Sequence, residues 1–274
     1  MTRPPVTGVR NGAPAGLSVC GLTAAHRRRG PAVIEGVDLE VGRGEMVAVL
    51  GPNGCGKSTM LTSLCGVLRP RSGTVVADGV DLRLVRPSVR ASIVGYVPQR
   101  DDGVGRALTV AESMGLALDH RALGAAAALD RVLATAERLG LSGMVTRRAS
   151  ELSGGQQQRV LIGRTLAAQT PYLLLDEPVS ALDLRYQLEI MELLRGLVDT
   201  DRVGALVVLH DLNLATAFCD RVIVMDDGRI RREGPPREVI TTEFVEGLYG
   251  RVAEVVRLNG APYVVPIRRG EERS

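Results

Sequence analysis

The sequence lacks the features that mark membrane-spanning, secreted and nucleic-acid-binding proteins. No apolar run approaches the roughly 18 residues that a membrane-spanning helix needs. Residues 1–16 are rich in proline, glycine and arginine and lack the apolar stretch of a secretion signal, so they are predicted to form a flexible segment. The net charge of +3 over 274 residues is small, whereas nucleic-acid-binding domains usually carry a concentrated basic surface. We therefore expect a protein that lies in the cytosol or on the cytoplasmic side of a membrane and has no nucleic-acid partner.

Paired cysteines are also missing. The four cysteines form no CxxC pair and show no metal-ligand spacing; they are Cys20, Cys55, Cys65 and Cys219. They are interpreted as reduced thiols that serve mostly as small buried apolar groups.

Lysine is almost absent, because Lys57 is the only lysine although lysine and arginine together number 34. This one exception falls inside a glycine-rich loop. Lysine carries a compact ammonium on a flexible stem, which the planar guanidinium of arginine does not replace. The chemistry of this loop is therefore expected to need an ammonium group.

Strand and helix patterns alternate along most of the chain and predict an α/β fold with a mostly parallel core sheet. The run 46–50 is continuously apolar, as in a strand buried on both faces. Other strands are predicted at 17–22, 37–41, 74–77, 93–97, 172–175, 205–209 and 221–225, and helices at about 57–67 and 184–197. Helix-forming residues dominate 109–168, which indicates a helical insert. The tail 252–266 alternates around Asn259-Gly260 and predicts a hairpin.

A phosphate-binding loop follows the strand at 46–50. The pattern G-x-x-x-x-G-K-[ST] is matched by Gly51, Pro52, Asn53, Gly54, Cys55, Gly56, Lys57, Ser58 and Thr59. Glycines let backbone N–H groups turn toward the β-phosphate, and the following helix N-terminus favours an anion. Lys57 is expected to reach the β- and γ-phosphates, and the Ser58 hydroxyl to coordinate Mg²⁺. The sequence therefore predicts a P-loop nucleoside triphosphatase that uses Mg²⁺.

Cys55 lies within this loop. The helix N-terminus is expected to lower its thiol pKa, so that alkylation there blocks ATP binding and ATP protects the thiol. The alternative is that Cys55 is only a small residue that fits.

Two adjacent carboxylates end the strand at 172–175. Asp176, at the carboxyl end of the strand, is placed to hold Mg²⁺ directly or through water. Glu177 is placed to polarise the attacking water or accept its proton. These carboxylates complete the catalytic set that the phosphate loop begins.

A second glycine-rich helix start has the sequence Leu152-Ser153-Gly154-Gly155-Gln156 and precedes a predicted helix at 157–168. It is a second anion-binding site on a chain that already has a phosphate loop. Here the chain resembles the ATP-binding cassette (ABC) ATPases, whose signature is LSGGQ. In that family this motif contacts the γ-phosphate of an ATP held by the opposite subunit, so the resemblance implies a homodimer in which Ser153, Gly154, Gly155 and Gln156 bind the partner's nucleotide.

The resemblance extends over about residues 17–250 and assigns further roles. It implies an ABC-type ATPase domain with an N-terminal antiparallel β part and a helical subdomain at about 100–168, followed by a hairpin and tail at 251–274. Gln99 matches the glutamine that senses Mg²⁺ and the attacking water. Asp183 matches an aspartate that links the two sites across the dimer, and His210 matches a histidine that contacts the γ-phosphate. Glu177, His210 and Lys57 are thus the predicted catalytic residues, and Ser58, Gln99 and Asp176 the predicted Mg²⁺ site.

His26 departs from the family pattern. The family usually has an aromatic residue, mostly Tyr, that stacks on adenine near this position. Imidazole offers less area, so adenine is expected to bind more weakly, unless the arginines at 27–29 assist; the alternative is that those arginines are solvated.

The resemblance favours a transport motor over a soluble repair or translation ATPase, because the chain has no coiled-coil insertion, second cassette or strongly basic segment. Three segments resemble bacterial importers of iron-siderophores, haem and cobalamin: 180–189, 210–215 and 234–240. The resemblance implies membrane permease partners and, indirectly, an extracellular or periplasmic substrate-binding protein. Residues 109–124 lack a cluster expected of that subgroup, which keeps zinc/manganese importers as the alternative.

Overall fold

The computed structural model describes residues 16–27, 29–99, 105, 107–118, 123–180, 182–250 and 252–267. The predicted flexible segment 1–16 lies outside these ranges apart from Gly16, as does Arg28 of the run 27–29.

The chain forms strands and helices in alternation. The strands are β1 (Gly16–Ala24), β2 (Ile34–Gly42), β3 (Met46–Leu50), β4 (Ser72–Ala77), β5 (Val80–Asp81), β6 (Val94–Val97), β7 (Tyr172–Asp176), β8 (Gly204–Val208), β9 (Arg221–Asp226), β10 (Arg229–Gly234), β11 (Ala253–Leu258) and β12 (Ala261–Pro266). The helices are α1 (Lys57–Leu64), α2 (Pro87–Ile93), α3 (Val110–Gly115), α4 (Ala125–Arg138), α5 (Gly154–Ala167), α6 (Leu184–Asp201), α7 (Leu212–Phe218), α8 (Pro236–Val239) and α9 (Thr242–Tyr249).

The central sheet has the strand order β10-β9-β3-β8-β7-β6. Its strands β9, β3, β8, β7 and β6 run parallel, and only β10 is antiparallel. Every residue of β3, β7 and β8 is buried, as expected where helices or a second layer cover both faces. The predicted mostly parallel core sheet is confirmed.

A second sheet is antiparallel, with the order β2-β1-β4-β5. In β1, Val19 pairs with Leu39 of β2 and with Val75 of β4. Burial alternates along much of β1 and β2, because successive side chains of a strand point to opposite faces. The predicted N-terminal antiparallel part is confirmed.

Two hydrophobic cores lie on the two faces of the central sheet. Met46, Ala48 and Leu50 of β3 pack into a core that contains buried residues of α6 and α7. Val47 and Val49 of the same strand pack into the other core with the antiparallel sheet and α1. Strand β3 is therefore anchored on both sides, which holds the loop after it on a rigid support.

The helical insert has a core of its own. It joins apolar residues of α3, α4 and α5, with Val110, Met114, Val132, Leu139 and Val160 all buried. Helix α5 begins at Gly154, three residues before the predicted start, because Ser153 is its N-cap. The predicted domain limits, at about 17–250 with a helical subdomain at about 100–168 and a hairpin and tail at 251–274, stay predictions.

Other boundaries differ from the sequence patterns for local reasons. Helix α1 ends at Leu64 rather than Val67, followed by Gly66 with a φ of 74°, a conformation typical of helix ends. Helix α2 was not predicted, although Pro87 is its first residue and Pro favours that position. Strand β10 was also missed, although the β9–β10 turn contains Asp227-Gly228, a strong hairpin signal.

No helix in the described ranges is both long and apolar enough to cross a lipid bilayer.

Candidate active site

The predicted catalytic residues follow the carboxyl ends of four neighbouring strands. The phosphate loop follows β3, His210 follows β8, Asp176 ends β7 with Glu177 directly after it, and Gln99 follows β6. These strands are adjacent in the order β3-β8-β7-β6 and parallel. Their carboxyl ends therefore meet at one edge of the sheet, where α/β proteins bind ligands.

The phosphate loop is held tightly against its surroundings. Gly56 has a φ of 106°, and a Cβ at this position would lie 2.6 Å from the Ile34 Cγ2 atom; only glycine fits there. The backbone N–H of Gly228 donates to the Cys55 carbonyl at 3.1 Å, which fastens the loop to the β9–β10 turn. The backbone that would surround a phosphate is thus preorganised.

Lys57 is 6% exposed and lies against the backbone of its own loop. Its Nζ donates to the carbonyl oxygens of Gly51 at 2.8 Å and Pro52 at 2.9 Å. Phosphate oxygens are stronger acceptors than these neutral carbonyls because they are charged. The ammonium is therefore placed to exchange one set of oxygen partners for the other.

Asp176 is 3% exposed, and its Oδ1 atom has no hydrogen-bond partner. Burial raises the carboxyl pKa most; Ser58 lowers it, the charge of Glu177 raises it, and Tyr96 and Lys57 lower it to a smaller extent. A bound cation offsets the free-energy cost of burying a carboxylate oxygen that has no hydrogen-bond partner. Carboxylate, hydroxyl and amide oxygens suit Mg²⁺. Asp176, Ser58 and Gln99 therefore fit a Mg²⁺ site. Within the described ranges, no group of three or more His, Cys, Asp and Glu side chains suggests a metal site elsewhere.

Tyr96 of β6 is a contact of this site that the sequence patterns did not predict. Its hydroxyl donates to the Asp176 Oδ2 atom at 3.4 Å. Burial raises the pKa of the Tyr96 hydroxyl, and the Asp176 charge adds to that effect. The sequence feature that could have predicted this contact was a tyrosine in a buried strand, because a buried tyrosine hydroxyl usually needs a hydrogen-bond partner.

Glu177 is held from two sides. Its Oε2 accepts from the Gln99 side-chain amide at 2.5 Å, and its Oε1 lies 2.5 Å from the His210 Nε2 atom. Its backbone has a φ of 51°, a left-handed conformation that is uncommon for non-glycine residues and often found at functional sites. The structure therefore brings together three of the predicted site residues.

The signature segment forms a separate helix start. Ser153 and Gln156 make a reciprocal cap, in which the Ser153 N–H donates to Gln156 Oε1 at 3.0 Å and the Gln156 N–H donates to Ser153 Oγ at 3.4 Å. A Cβ on Gly155 would lie 2.9 Å from the Tyr186 ring of α6. The Ser153 and Gln156 side chains thus accept from each other's backbone N–H groups and do not bond to the phosphate loop of the same chain.

Asp183 caps the N-terminus of α6, where its Oδ1 accepts from the Tyr186 N–H at 3.1 Å. It therefore links α6 to the loop at 178–183, of which Ala181 lies outside the described residues. A role across a dimer remains a prediction.

His26 lies beside the phosphate loop helix, with its Nε2 atom 3.5 Å from the Thr59 Oγ1 atom. It is exposed, as expected of a residue that stacks on a base.

We expect His26→Tyr to lower the Michaelis constant for ATP. Aromatic stacking contributes about 0.5–1.5 kcal/mol, which corresponds to a change of about twofold to tenfold. Steady-state ATPase assays measure it, with Arg29→Tyr in the same exposed loop as the matched control. An unchanged constant in His26→Tyr shows that this position does not touch the base.

The predicted low pKa of Cys55 is wrong. The residue is only 6% exposed, and burial raises the pKa of its thiol, which outweighs the opposing effect of Lys57. The helix start stabilises a thiolate less than desolvation penalises it.

Alkylation of Cys55 at neutral pH is therefore expected to be slow. The thiolate is the reactive form, and a raised pKa keeps its fraction small until the pH becomes alkaline. The exposed Cys20 is the internal reference, and mass spectrometry follows both thiols as the pH is raised. We expect Cys20 to react first and ATP to protect Cys55; full activity after complete labelling of Cys55 would remove its assignment to the nucleotide site.

Comparisons with known proteins agree with this geometry. A family model described as ABC transporter matches residues 34–180. The hemin import ATP-binding protein of Nocardia farcinica is 41% identical over 92% of this chain and 89% of its own length. The cobalamin import ATP-binding protein of Halobacterium salinarum is 36% identical over 86% of this chain and 60% of its own length. A solved dimeric, post-hydrolysis ATP-binding cassette bound to ADP and Pi has a TM-score of 0.72 and 31% identity, covering 80% of this chain and 98% of that chain.

The matched model spans more than half of the 274 residues, and the hemin import relative is similar over nearly the whole chain. The chain therefore belongs to the ABC transporter family and is an ATP-binding, ATP-hydrolysing subunit of that family.

Proposed function

We propose that two copies of this chain form the ATP-driven motor of a bacterial importer for an iron-siderophore, haem or cobalamin. The motor lies on the cytoplasmic side of the cell membrane, bound to permease subunits that receive cargo from an extracellular or periplasmic binding protein. The cargo class is supported by relatives named for hemin and cobalamin import.

The division of the site over two surfaces carries the dimer proposal. Lys57, Glu177 and His210 lie at one edge of the central sheet, whereas the signature glycines open α5 and Gly154 is exposed. The first N–H groups of a helix lack partners inside that helix and bind anions well. A phosphate held by the Lys57 loop of one copy can therefore complete its contacts with α5 of the other.

ATP then favours the closed dimer because it makes contacts with both copies that the open state lacks. Ser58, Gln99 and Asp176 would hold Mg²⁺, which would supply neutralisation of phosphate charge. Glu177 polarises the attacking water, while Lys57 and His210 stabilise charge on the γ-phosphate. Hydrolysis removes the bridging phosphate, so the copies separate, and the region of Gln99 and the helical insert passes this motion to the permease.

Transport by a reconstituted complex tests this proposal. The chain is purified with its permease, placed in proteoliposomes with the binding protein, and supplied with ATP and labelled cargo. ATP-dependent uptake of haemin, cobalamin or a ferric siderophore supports the proposal. Uptake of zinc or manganese alone overturns the cargo class, and an active ATPase that never associates with a permease overturns the transport role.

A further inference from the structure

The C-terminal hairpin is tied to α7 by one side chain. The Asn213 side chain accepts from the Val264 N–H at 2.8 Å and donates to the Val264 carbonyl at 3.3 Å. One amide thus pairs with both backbone groups of a single residue of β12, in the way that a neighbouring strand would. We call this pair of bonds the Asn213 clasp.

The start of α7 also connects the Asn213 clasp to the active site. Asp211 is the N-cap of α7 and accepts from the Asn213 N–H at 2.7 Å and the Leu214 N–H at 3.1 Å. His210 directly precedes this cap, and its Nε2 atom lies 2.5 Å from the Glu177 carboxylate. Only Asp211 and Leu212, at the capped start of α7, therefore separate the clasp from the histidine.

Part of the region around the start of α7 is not closely packed. A cavity of about 290 Å³ lies between α7, α9 and the hairpin and is bordered by His210, Asn213, Tyr249 and Val264. The side chain of His210 is 41% exposed. Leu212 and Leu214 pack into the central core, but the walls of a cavity lack packing partners on one side, so directional bonds add to packing in holding the start of α7.

The hairpin also depends on its contacts with the rest of the chain. Two strands of six residues are only marginally stable alone, and Val256, Leu258 and Val265 are 41–58% exposed. Apart from the clasp, the Val255 N–H donates to Thr242 Oγ1 at 3.4 Å, and Arg257 donates to the Arg237 carbonyl at 3.2 Å. The Arg257 contact holds the hairpin without touching α7.

We propose that Asn213 is a positioning residue for ATP hydrolysis: the C-terminal hairpin, through the Asn213 clasp, holds α7 so that His210 stays against Glu177. This inference rests on the proposed role of His210 at the γ-phosphate. Asn213 itself is not placed at a reacting atom, and it acts only through His210.

Graded variants at Asn213 test the inference. Asn213→Leu removes both bonds of the clasp at similar size, whereas Asn213→Asp keeps the acceptor for the Val264 N–H and loses the donor. Since each hydrogen bond contributes modestly on a net basis, we expect kcat to fall about tenfold in Asn213→Leu and less in Asn213→Asp. The Michaelis constant for ATP is expected to change less than about twofold. Arg257→Ala is the matched control in the same hairpin and should leave kcat unchanged.

A double-mutant cycle separates positioning from general destabilisation. If Asn213 acts through His210, Asn213→Leu has no further effect on kcat in a His210→Ala background. A fall of equal size in that background overturns the inference, as does an unchanged kcat in Asn213→Leu. If Asn213→Leu does not fold, the same cycle with Asn213→Asp decides.

A measurement without turnover makes failure of the inference distinguishable from failure of the proposed function. The chain has three histidines, so the imidazole NMR signal of His210 can be assigned by substitution. We expect this signal to shift in Asn213→Leu while that of His26 does not move, and neither to shift in Arg257→Ala. An unmoved His210 signal overturns the inference even if transport is demonstrated, and a moved signal supports it even if no cargo is found.

Discussion

Glu177→Gln is expected to reduce ATP hydrolysis roughly 100- to 10,000-fold, the usual contribution of a general base, and to trap the ATP-bound dimer. An amide has nearly the size of the carboxylate but cannot accept a proton from water. The carboxylate is held at 2.5 Å by both Gln99 and His210, so the substitution changes chemistry more than shape. Steady-state ATPase assays measure the rate, and light scattering with ATP measures the dimer.

Glu189→Gln is the matched control for this prediction. Glu189 lies on α6 and pairs with Arg159 and Arg185, so the same change of acid to amide occurs outside the site. Normal hydrolysis by Glu177→Gln would remove the base assignment. If the Glu177→Gln variant stays monomeric with ATP, both with and without the permease, the proposed dimer in which two copies share each ATP site is wrong.

Lys57→Arg is expected to weaken ATP binding at least about a hundredfold. Hydrogen bonds of charged groups contribute about 1.5–3 kcal/mol each, and every 1.4 kcal/mol is a factor of ten in affinity. The ammonium reaches the Gly51 and Pro52 carbonyls from a position that is 6% exposed, where a wide planar guanidinium has little room. Titration calorimetry measures the affinity, and thermal unfolding checks that the fold is intact.

Two further variants separate shape from charge in this prediction. Lys57→Met keeps most of the length of the side chain and loses its charge, and should bind ATP as poorly as Lys57→Arg or worse. The reverse exchange, Arg185→Lys, occurs on a side chain that is 84% exposed and should bind ATP normally. Affinity near that of the unaltered chain in Lys57→Arg would show that charge alone is needed.

The sequence patterns predicted strands better than helix ends. Continuous apolar runs at β3, β7 and β8 mark strands whose burial is complete, because hydrophobicity alone determines that signal. Helix α5 begins earlier than predicted because its cap, Ser153, is satisfied by a side-chain bond to Gln156. Helix α2 was missed because none of its residues is buried, so no apolar pattern marks it.

The local sequence pattern also gave a wrong prediction for the pKa of Cys55, where burial competes with a helix dipole. The position of Cys55 at a helix start favours a thiolate, but the amount of desolvation depends on which distant residues cover the loop. The contact from Tyr96 to Asp176 spans 80 positions of sequence, and that between Asn213 and Val264 spans 51. Neither pairing has a signal in the local pattern.

The amino-acid order by itself determined which groups are candidates for the chemistry: the glycine loop with its lone lysine, the Asp176-Glu177 pair at a strand end, and the LSGGQ helix start. These motifs follow from backbone conformation and charge within a few residues. The tertiary structure alone decided that β8 lies between β3 and β7, which brings His210 to the Glu177 carboxylate, and that β12 pairs with Asn213. Strand order and long-range contacts depend on how helices and sheets pack together over the whole chain, and no short segment contains that information.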